Sequence, residues 1–150
     1  NAQIGGFMNI DKYNKEGYYD PTPYEALTEI EIRDRAIRSF RPIIYICSPY
    51  SGNVEKNIIA TQGYCRFAVD QGYIPLAPHL LFPQFLDDDN PNERQLGLFF
   101  ANALMTKCAE VWVFGSTISH GMQEEIKRAK WKCFPLRYFT ENCEEVYRND

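Results

Sequence analysis

The sequence predicts an α/β domain with a doubly wound, mainly parallel sheet of four to five strands, preceded by an N-terminal arm and helix. Short apolar runs rich in β-branched residues alternate with longer segments of helical period. The chain has 150 residues, of which 45% are hydrophobic, so it is long enough to bury one core. We expect two parts: an arm and amphipathic helix over residues 1–40, and the α/β domain over 41–150.

The segment that precedes the first strand divides into an arm and a helix. Residues 1–20 show no clear period and are interpreted as an extended arm. Asp20-Pro-Thr-Pro-Tyr24 is a helix-entry signal, and a helix is expected from Tyr24 to about Phe40. This helix is highly charged, which favours a position on the outside of the domain or against a second subunit.

The first half of the α/β domain contains two predicted strands and one helix. Residues 42–48 form a continuous apolar run, as expected of a strand that is covered on both faces. A helical stripe runs over 54–70 and ends at Gln71-Gly72. Residues 73–77 form a short strand in which Pro75 indicates a sheet edge or a strand end. Residues 78–90 are expected to be a long connection.

The second half of the α/β domain repeats the alternation of strands and helices. Asn90-Pro-x-Glu93 combines a cap residue, a proline and an acidic residue, and it predicts a helix that runs to about Lys107. Residues 109–114 are the third strand, and a helix follows from near Ser119. Residues 132–139 supply a fourth strand, after which Thr140 is expected to begin a short terminal helix.

Composition narrows the class of function. The formal net charge of −4 gives no electrostatic footprint for a nucleic-acid polymer. No apolar run approaches the roughly 18 residues of a membrane span, and the N-terminus has no secretory signal pattern. The five cysteines contain no C-x-x-C pair, which favours reduced thiols. We expect a cytoplasmic protein.

Glu125 is the first candidate for chemistry. With Met122 set at zero on a helical wheel, Glu125 falls about 60° away, at the border of the apolar stripe, whereas Glu124 falls about 160° away and faces water. A carboxylate at the border of a core is costly to bury unless it has a role. The alternative is an ordinary glutamate that pairs with Arg128 or Lys132.

Two loops lie where parallel strands of such a sheet end, which is where ligands of doubly wound folds bind. One spans residues 48–53, and its hydroxyls, Gly52 and Asn53 could cradle an anion at a helix N-terminus. The other spans residues 115–121. An ordinary strand-to-helix turn explains the first loop equally well. Neither contains G-x-G-x-x-G or a P-loop, and we expect no cofactor.

The histidines and the run of acidic residues do not indicate a catalytic pair or a metal site. His79 and His120 are the only histidines, and no Ser/His/Asp or Cys/His pairing is indicated by their order. Asp87-Asp88-Asp89 could attract a cation, but three consecutive carboxylates are more typical of a solvated loop. The sequence therefore predicts no metal site.

Two segments resemble a known superfamily. Tyr45-Ile-Cys-Ser-Pro-Tyr-Ser-Gly52 and Ser119-x-Gly121-Met-x-x-Glu125-x-x-x-Ala129 are similar to motifs of the nucleoside 2-deoxyribosyltransferase superfamily, which includes the 2′-deoxynucleoside 5′-phosphate N-hydrolases. A related domain family of unknown function shares the likeness. The resemblance covers roughly residues 42–135 and implies a Rossmann- or flavodoxin-like fold.

The resemblance implies a role for each matching residue. Glu125 falls on the nucleophilic glutamate, and Tyr45 on a strand tyrosine beside it. Ser119 matches the serine of the hydrolase branch, where transferases usually have aspartate, and His79 falls near a histidine of that branch. The residues implied to bind sugar or phosphate are Ser48, Pro49, Tyr50, Ser51, Gly52, Asn53, His79, Ser119, Gly121 and Met122.

One position departs from the superfamily pattern. Asn102 stands where the superfamily has an active-site aspartate, and an amide can orient Glu125 or a sugar hydroxyl but cannot accept a proton. The resemblance implies a nucleoside or nucleotide N-glycosidase, with hydrolysis favoured over transfer, and a homodimer or higher homo-oligomer. The alternatives are a non-catalytic nucleotide-binding module of the same fold and an interaction domain that docks through its N-terminal helix.

Overall fold

The computed structural model describes residues 21–148, with side chains from Leu27 onward except that of Arg38. The arm predicted for residues 1–20 lies outside the described residues. The chain divides between Phe40 and Arg41 into two units. Helix α1 (Pro21–Arg38) is the described secondary structure of the first unit, and it begins three residues earlier than predicted.

The second unit is built on a five-stranded sheet, which confirms the predicted doubly wound α/β fold. The strands lie in the order β2-β1-β3-β4-β5; β2, β1, β3 and β4 are parallel, and β5 is antiparallel to β4. The elements are β1 (Ile43–Cys47), α2 (Val54–Asp70), β2 (Ile74–Leu76), α3 (Pro78–Leu81), a 3₁₀ turn (Phe82–Gln84), α4 (Pro91–Met105), β3 (Glu110–Phe114), α5 (His120–Trp131), β4 (Leu136–Phe139) and β5 (Glu145–Val146).

Strand order places the switch point of the fold between β1 and β3, because the chain leaves β1 toward one edge and leaves β3 toward the other. Helix α2 covers one face of the sheet through Tyr64 and Ala68, which pack on the aromatic residues of β3 and β4. Helices α4 and α5 cover the other face through Met105, Met122 and Ala129. Alternate residues of β1 therefore point into two separate cores.

The predicted boundaries are mostly confirmed. Helix α2 has the predicted limits, and β2 is an edge strand, as Pro75 indicated. The connection over 78–90 is more ordered than predicted, because Pro78 and Pro83 each stand in the first turn of a short helix.

The prediction of a terminal helix from Thr140 is wrong. Thr140 instead closes a turn: its Oγ1 accepts the N–H groups of Asn142 and Glu144, and its own N–H donates to the Glu144 carbonyl at 2.8 Å. Cys143 takes a positive φ of 61°, and β5 then returns along β4. A turn of this kind competes with a helix for the same backbone groups.

Arg137 holds β5 against β4. Its guanidinium donates two hydrogen bonds to Glu145, each 2.9 Å long, and its Cζ atom lies 4.8 Å from the centre of the Trp112 ring. The Trp112 indole donates to Glu110 at 2.7 Å. A bidentate arginine–carboxylate pair fixes direction as well as distance, so it sets the register of this hairpin.

None of the helices over residues 21–148 is long and apolar enough to cross a membrane. All five cysteines are free thiols, of which Cys47 and Cys108 are buried.

Gly115, directly after β3, provides a test of the turn that leads into α5. Its φ is +107°, a conformation that side chains with a Cβ rarely adopt. We expect Gly115→Ala to lower the free energy of unfolding by about 1–3 kcal/mol. Gly63→Ala is the control, since Gly63 is helical and a Cβ there meets open space; it should raise stability by about 0.5–1 kcal/mol. Equal stabilities in chemical denaturation would contradict this account.

Candidate active site at Glu125

Glu125 lies in the second turn of α5 and points toward the sheet, as the sequence predicted. Ser119 caps the helix, accepting the N–H of Met122 at 3.3 Å, and Met122 is buried against the core. The Glu125 carboxylate accepts a hydrogen bond of 3.1 Å from the Tyr45 hydroxyl, whereas Glu124 is exposed. The helical wheel had predicted these opposite orientations for the two adjacent glutamates.

Tyr45 is the partner that β1 contributes to this carboxylate. It is fully buried in the middle of the strand, on the face covered by α4 and α5. Burial, and then the negative charge of Glu125, raise the pKa of Tyr45 well above 10. Tyr45 therefore keeps its proton at neutral pH and acts as a fixed hydrogen-bond donor to Glu125.

Burial also raises the pKa of Glu125 above its ordinary value of 4.5. Hydrogen bonding by the Cys47 thiol and the Tyr45 hydroxyl, and the positive charge of Arg128, oppose that rise. Glu125 as a whole is only half-buried, so part of it remains open to solvent. The site thus holds a poorly solvated carboxylate that is oriented by the strand.

A second polar cluster lies on the other face of β1. Ser48 is buried directly after the strand, and its Oγ is 2.8 Å from Thr61 Oγ1 and 3.0 Å from His79 Nε2. Thr61 Oγ1 is also 3.2 Å from His79 Nε2 and donates to the Asn57 carbonyl at 2.8 Å.

One arrangement of protons satisfies all four of these contacts. Thr61 donates to the Asn57 carbonyl, Ser48 donates to Thr61, and the Nε2–H of His79 is shared between the two hydroxyl oxygens. Burial lowers the pKa of His79 to about 4, which keeps the imidazole neutral. In this arrangement His79 donates to Ser48 and does not act as its base.

The same cluster limits what the loop after β1 can offer a ligand. Ser48 is enclosed by Thr61 and His79, and Asn53 uses its side chain to cap α2 by accepting the N–H of Lys56 at 3.2 Å. Ser51 and Gly52 are exposed, and Gly52 has a φ of +96°. The exposed backbone of this loop, more than its buried hydroxyl, is open to a bound group.

Sequence reasoning missed Asn57, which holds the loop in place. Its side-chain amide donates to the carbonyls of Tyr50 and Ser51, both at 3.0 Å. The position of Asn57 one turn into α2 was the available signal, since an amide there can reach back to the preceding loop. The polar Thr61 within an apolar stripe was a similar signal for the buried cluster. The Tyr50 ring lies 5.9 Å from that of His79, at the edge of the cluster.

Asn102 and the acidic loop do not join Glu125. Asn102 is half-buried on α4, and among residues 21–148 no hydrogen bond connects it to Glu125. Asp87 accepts the N–H of Asp89 at 3.0 Å, and Glu93 accepts the N–H of Asp87 at 2.9 Å, so these carboxylates order the start of α4. Over the described part of the chain, no three His, Cys, Asp or Glu side chains are grouped to hold a metal ion.

Two grooves lie near the candidate site, and Glu125 lines neither. A groove of about 560 Å³ lies at the carboxyl ends of β1 and β3, on the side of α2, and Glu141 forms one wall. Glu141 accepts hydrogen bonds from the backbone and hydroxyl of Ser116, which lower its pKa to about 2. A second groove, of about 480 Å³, lies between α5 and β4.

The molecule is a doubly wound α/β domain in which a glutamate accepts a hydrogen bond from a tyrosine of a central strand. The chain belongs to the family of a domain of unknown function, DUF7768, whose family model matches residues 42–139. The matched segment runs from β1 to β4 and leaves α1 outside. No curated protein matches the chain.

The raised pKa of Glu125 predicts that this residue costs stability at neutral pH. Below about pH 4.5 the carboxyl is protonated in both the folded and unfolded states. As pH rises, the unfolded chain ionises first, so stability falls until the folded-state pKa is passed. We expect Glu125→Gln to raise the free energy of unfolding at pH 7 by about 0.5–2 kcal/mol, a gain that disappears in acid.

Glu124→Gln is the matched control for that experiment, since the adjacent carboxylate is exposed. It should change stability little at either pH. Urea denaturation of both variants at pH 7 and pH 4 provides the measurement. If Glu125→Gln is no more stable than the wild type at pH 7, burial of the Glu125 carboxylate does not lower the free energy of unfolding.

Proposed function

We propose that the α/β domain is an N-glycosidase that cleaves the base–sugar bond of a nucleoside or nucleotide, with Glu125 as the nucleophile. The observation that supports this best is the Glu125 carboxylate, which accepts a hydrogen bond of 3.1 Å from the Tyr45 hydroxyl. Tyr45 belongs to β1, one of the two strands that flank the switch point of the sheet. A poorly solvated carboxylate is a stronger nucleophile than a fully hydrated one. The resemblance of the Ser119–Ala129 segment to the superfamily motif points to the same reaction.

The proposed reaction is a double displacement at the anomeric carbon. A Glu125 oxygen forms a bond to C1′ as the C1′–N bond breaks, and the base leaves with the bonding electron pair and takes up a proton. Water then attacks C1′ of the glycosyl ester, loses a proton, and releases the sugar with the regenerated carboxylate. A second base in place of water would complete a transfer reaction.

Tyr45 and Arg128 would have supporting roles in this reaction. The protonated Tyr45 hydroxyl orients Glu125, and Arg128, one turn further along α5, favours the ionised form. A buried acidic group that is kept ionised by such partners can attack at neutral pH. In this proposal His79 is not the proton donor to the leaving base, because it is neutral and shares its Nε2–H between Ser48 and Thr61.

A nucleotide with a 5′-phosphate is the favoured substrate, and hydrolysis is favoured over transfer. Ser51 and Gly52 are exposed at the start of α2, where the backbone N–H groups and the helix dipole favour an anion, and Lys56 adds a positive charge. Ser119 occupies the position that is serine in the hydrolase branch. Equal turnover of nucleosides and nucleotides would argue against the phosphate requirement.

A non-catalytic nucleotide-binding module is the second candidate. It is favoured by Asn102, which supplies an amide where the superfamily has a carboxylate and makes no hydrogen bond to Glu125 in the described part of the chain. Calorimetry that detects nucleotide binding without any product after long incubation would select this function.

Removal of the nucleophile tests the proposal directly. We expect Glu125→Ala and Glu125→Gln to reduce the release of free base from a panel of nucleosides and nucleotides by at least ~10³-fold. Glu124→Gln should retain activity. Base release that is unchanged in both Glu125 variants would exclude Glu125 as the nucleophile.

Tyr45→Phe tests the role of the hydrogen bond. Loss of the donor raises the pKa of Glu125, so the acid limb of kcat/KM should move to higher pH. At a pH on that limb, we expect activity to fall by about 10–100-fold, the usual effect of losing a hydrogen bond to a charged group. A lower rate with an unmoved acid limb would mean that Tyr45 does not set the ionisation of Glu125.

A further inference from the structure

The groove of about 560 Å³ is formed by α2 and the loops after β1, β3 and β4, and its volume is in the range of small-molecule sites. Oε1 of Glu141 accepts both hydrogen bonds from Ser116, so Oε2 has no partner in the described part of the chain. Those bonds hold the pKa of Glu141 at about 2, which keeps the carboxylate ionised. The side chains of Thr117, Asn142 and Lys56 also line the groove, and no described residue forms a hydrogen bond with them. The groove therefore offers a ligand several free polar groups.

The α2 side of this groove is flat and mainly apolar. Ala60 and Gly63 leave it without large side chains, and a Cβ at Gly63 would meet open space. Tyr64 also lines the groove, and its ring stacks on that of Phe114 with centres 4.3 Å apart. A planar heterocyclic base fits such a wall, while sugar hydroxyls fit the carboxylate, hydroxyl and amide of the other wall. The two walls together suit a nucleoside.

The loop over residues 48–53 borders both this groove and the strand that contacts Glu125. Pro49 lines the groove, whereas Tyr45, four residues earlier, donates to Glu125. These two positions are roughly 13 Å apart along an extended chain. A mononucleotide that reacts at Glu125 with its phosphate on the loop leaves the groove unused. A nucleoside attached to that phosphate would fill it.

The surroundings of Glu125 restrict the leaving base, because the described part of the chain gives it no ready proton donor. Asn102 is an amide, and His79 shares its Nε2–H between two hydroxyl oxygens. Burial raises the pKa values of Tyr45 and Cys47 well above their ordinary range, so both release a proton reluctantly. A neutral base needs a proton as it leaves, whereas a base that is a cation in the substrate leaves as a neutral molecule. The site therefore suits a cationic base such as a pyridinium ring.

On the basis of the N-glycosidase proposed above, we infer that the substrate is a pyridinium dinucleotide, with its pyridinium riboside at Glu125, its pyrophosphate along the 48–53 loop and its second nucleoside in the groove beside Glu141. Dinucleotides bind across the switch point of doubly wound folds. The loop lacks the G-x-G-x-x-G pattern of sites that retain a dinucleotide as cofactor, whereas this site consumes it. Oε2 of Glu141 accepts hydroxyl groups of the second ribose, and Lys56 offsets the charge of the pyrophosphate.

The reaction needs no acid at the leaving group. A Glu125 oxygen bonds to C1′ as the C1′–N bond breaks, and the electron pair of that bond neutralises the pyridinium ring. Water then attacks C1′ of the ester and loses a proton to solvent, which releases the remainder of the dinucleotide and regenerates the carboxylate.

Four compounds test the substrate class with the full chain: NAD⁺, its reduced form NADH, nicotinamide mononucleotide and AMP. We expect kcat/KM for nicotinamide release from NAD⁺ to exceed that from nicotinamide mononucleotide by at least ~10-fold, because the mononucleotide lacks the remote nucleoside. NADH should release no base, since its dihydropyridine ring is neutral. Base release from AMP but not from NAD⁺ would overturn this inference and leave the N-glycosidase intact. No release from any of the four would overturn both.

Substitutions in the groove test where the second nucleoside binds. Glu141→Gln should raise KM for NAD⁺ by about 10-fold and leave the kinetics of nicotinamide mononucleotide unchanged. Thr117→Val should act in the same direction and keeps the Glu141–Ser116 contact. Glu144→Gln is the control, because Glu144 is exposed and does not line the groove. Thermal denaturation should first verify that each variant is folded. If both groove variants affect the two substrates alike, or affect neither, the second nucleoside does not bind beside Glu141.

Discussion

The alternation of β1 between two cores is the constraint on which the rest of the domain depends. Tyr45 and Cys47 point to the face covered by α4 and α5, whereas Ile44, Ile46 and then Ser48 point to the face covered by α2. This strand is central, with β2 on one side and β3 on the other, so its register is fixed from both directions. A shift of one residue would turn Tyr45 away from Glu125 and Ser48 away from His79.

The two polar clusters on either side of β1 differ in kind because their surroundings differ. The Tyr45 hydroxyl, the Cys47 thiol and the positive charge of Arg128 all favour the ionised form of Glu125, but burial outweighs them, so its charge is incompletely compensated. The cluster of Ser48, Thr61 and His79 satisfies its own hydrogen bonds with neutral groups. The Glu125 carboxylate can therefore accept further hydrogen bonds, whereas the cluster of Ser48, Thr61 and His79 mainly fixes the loop that leads into α2.

Much of the fold could be predicted from the sequence because its signals are local. The stripe of α2, the apolar run of β1 and the cap at Ser119 each depend on residues within one or two turns. The inward direction of Glu125 also followed from helical spacing alone. The hairpin of β4 and β5 did not, since Arg137 and Glu145 stabilise it through contacts that only the folded sheet creates. The Thr61 cluster was hidden for the same reason, since its partners Ser48 and His79 come from other elements.

Both edges of the sheet are poorly suited to adding another strand. On one side, β2 has three residues, and Pro75 in its middle has no N–H group to donate. On the other side, β5 has only two residues. Short, proline-bearing edges discourage chains from joining through backbone hydrogen bonds, which protects against uncontrolled aggregation. Within the described residues, both edges therefore disfavour growth of the sheet into a neighbouring molecule, and side-chain contacts are the better-suited means of assembly.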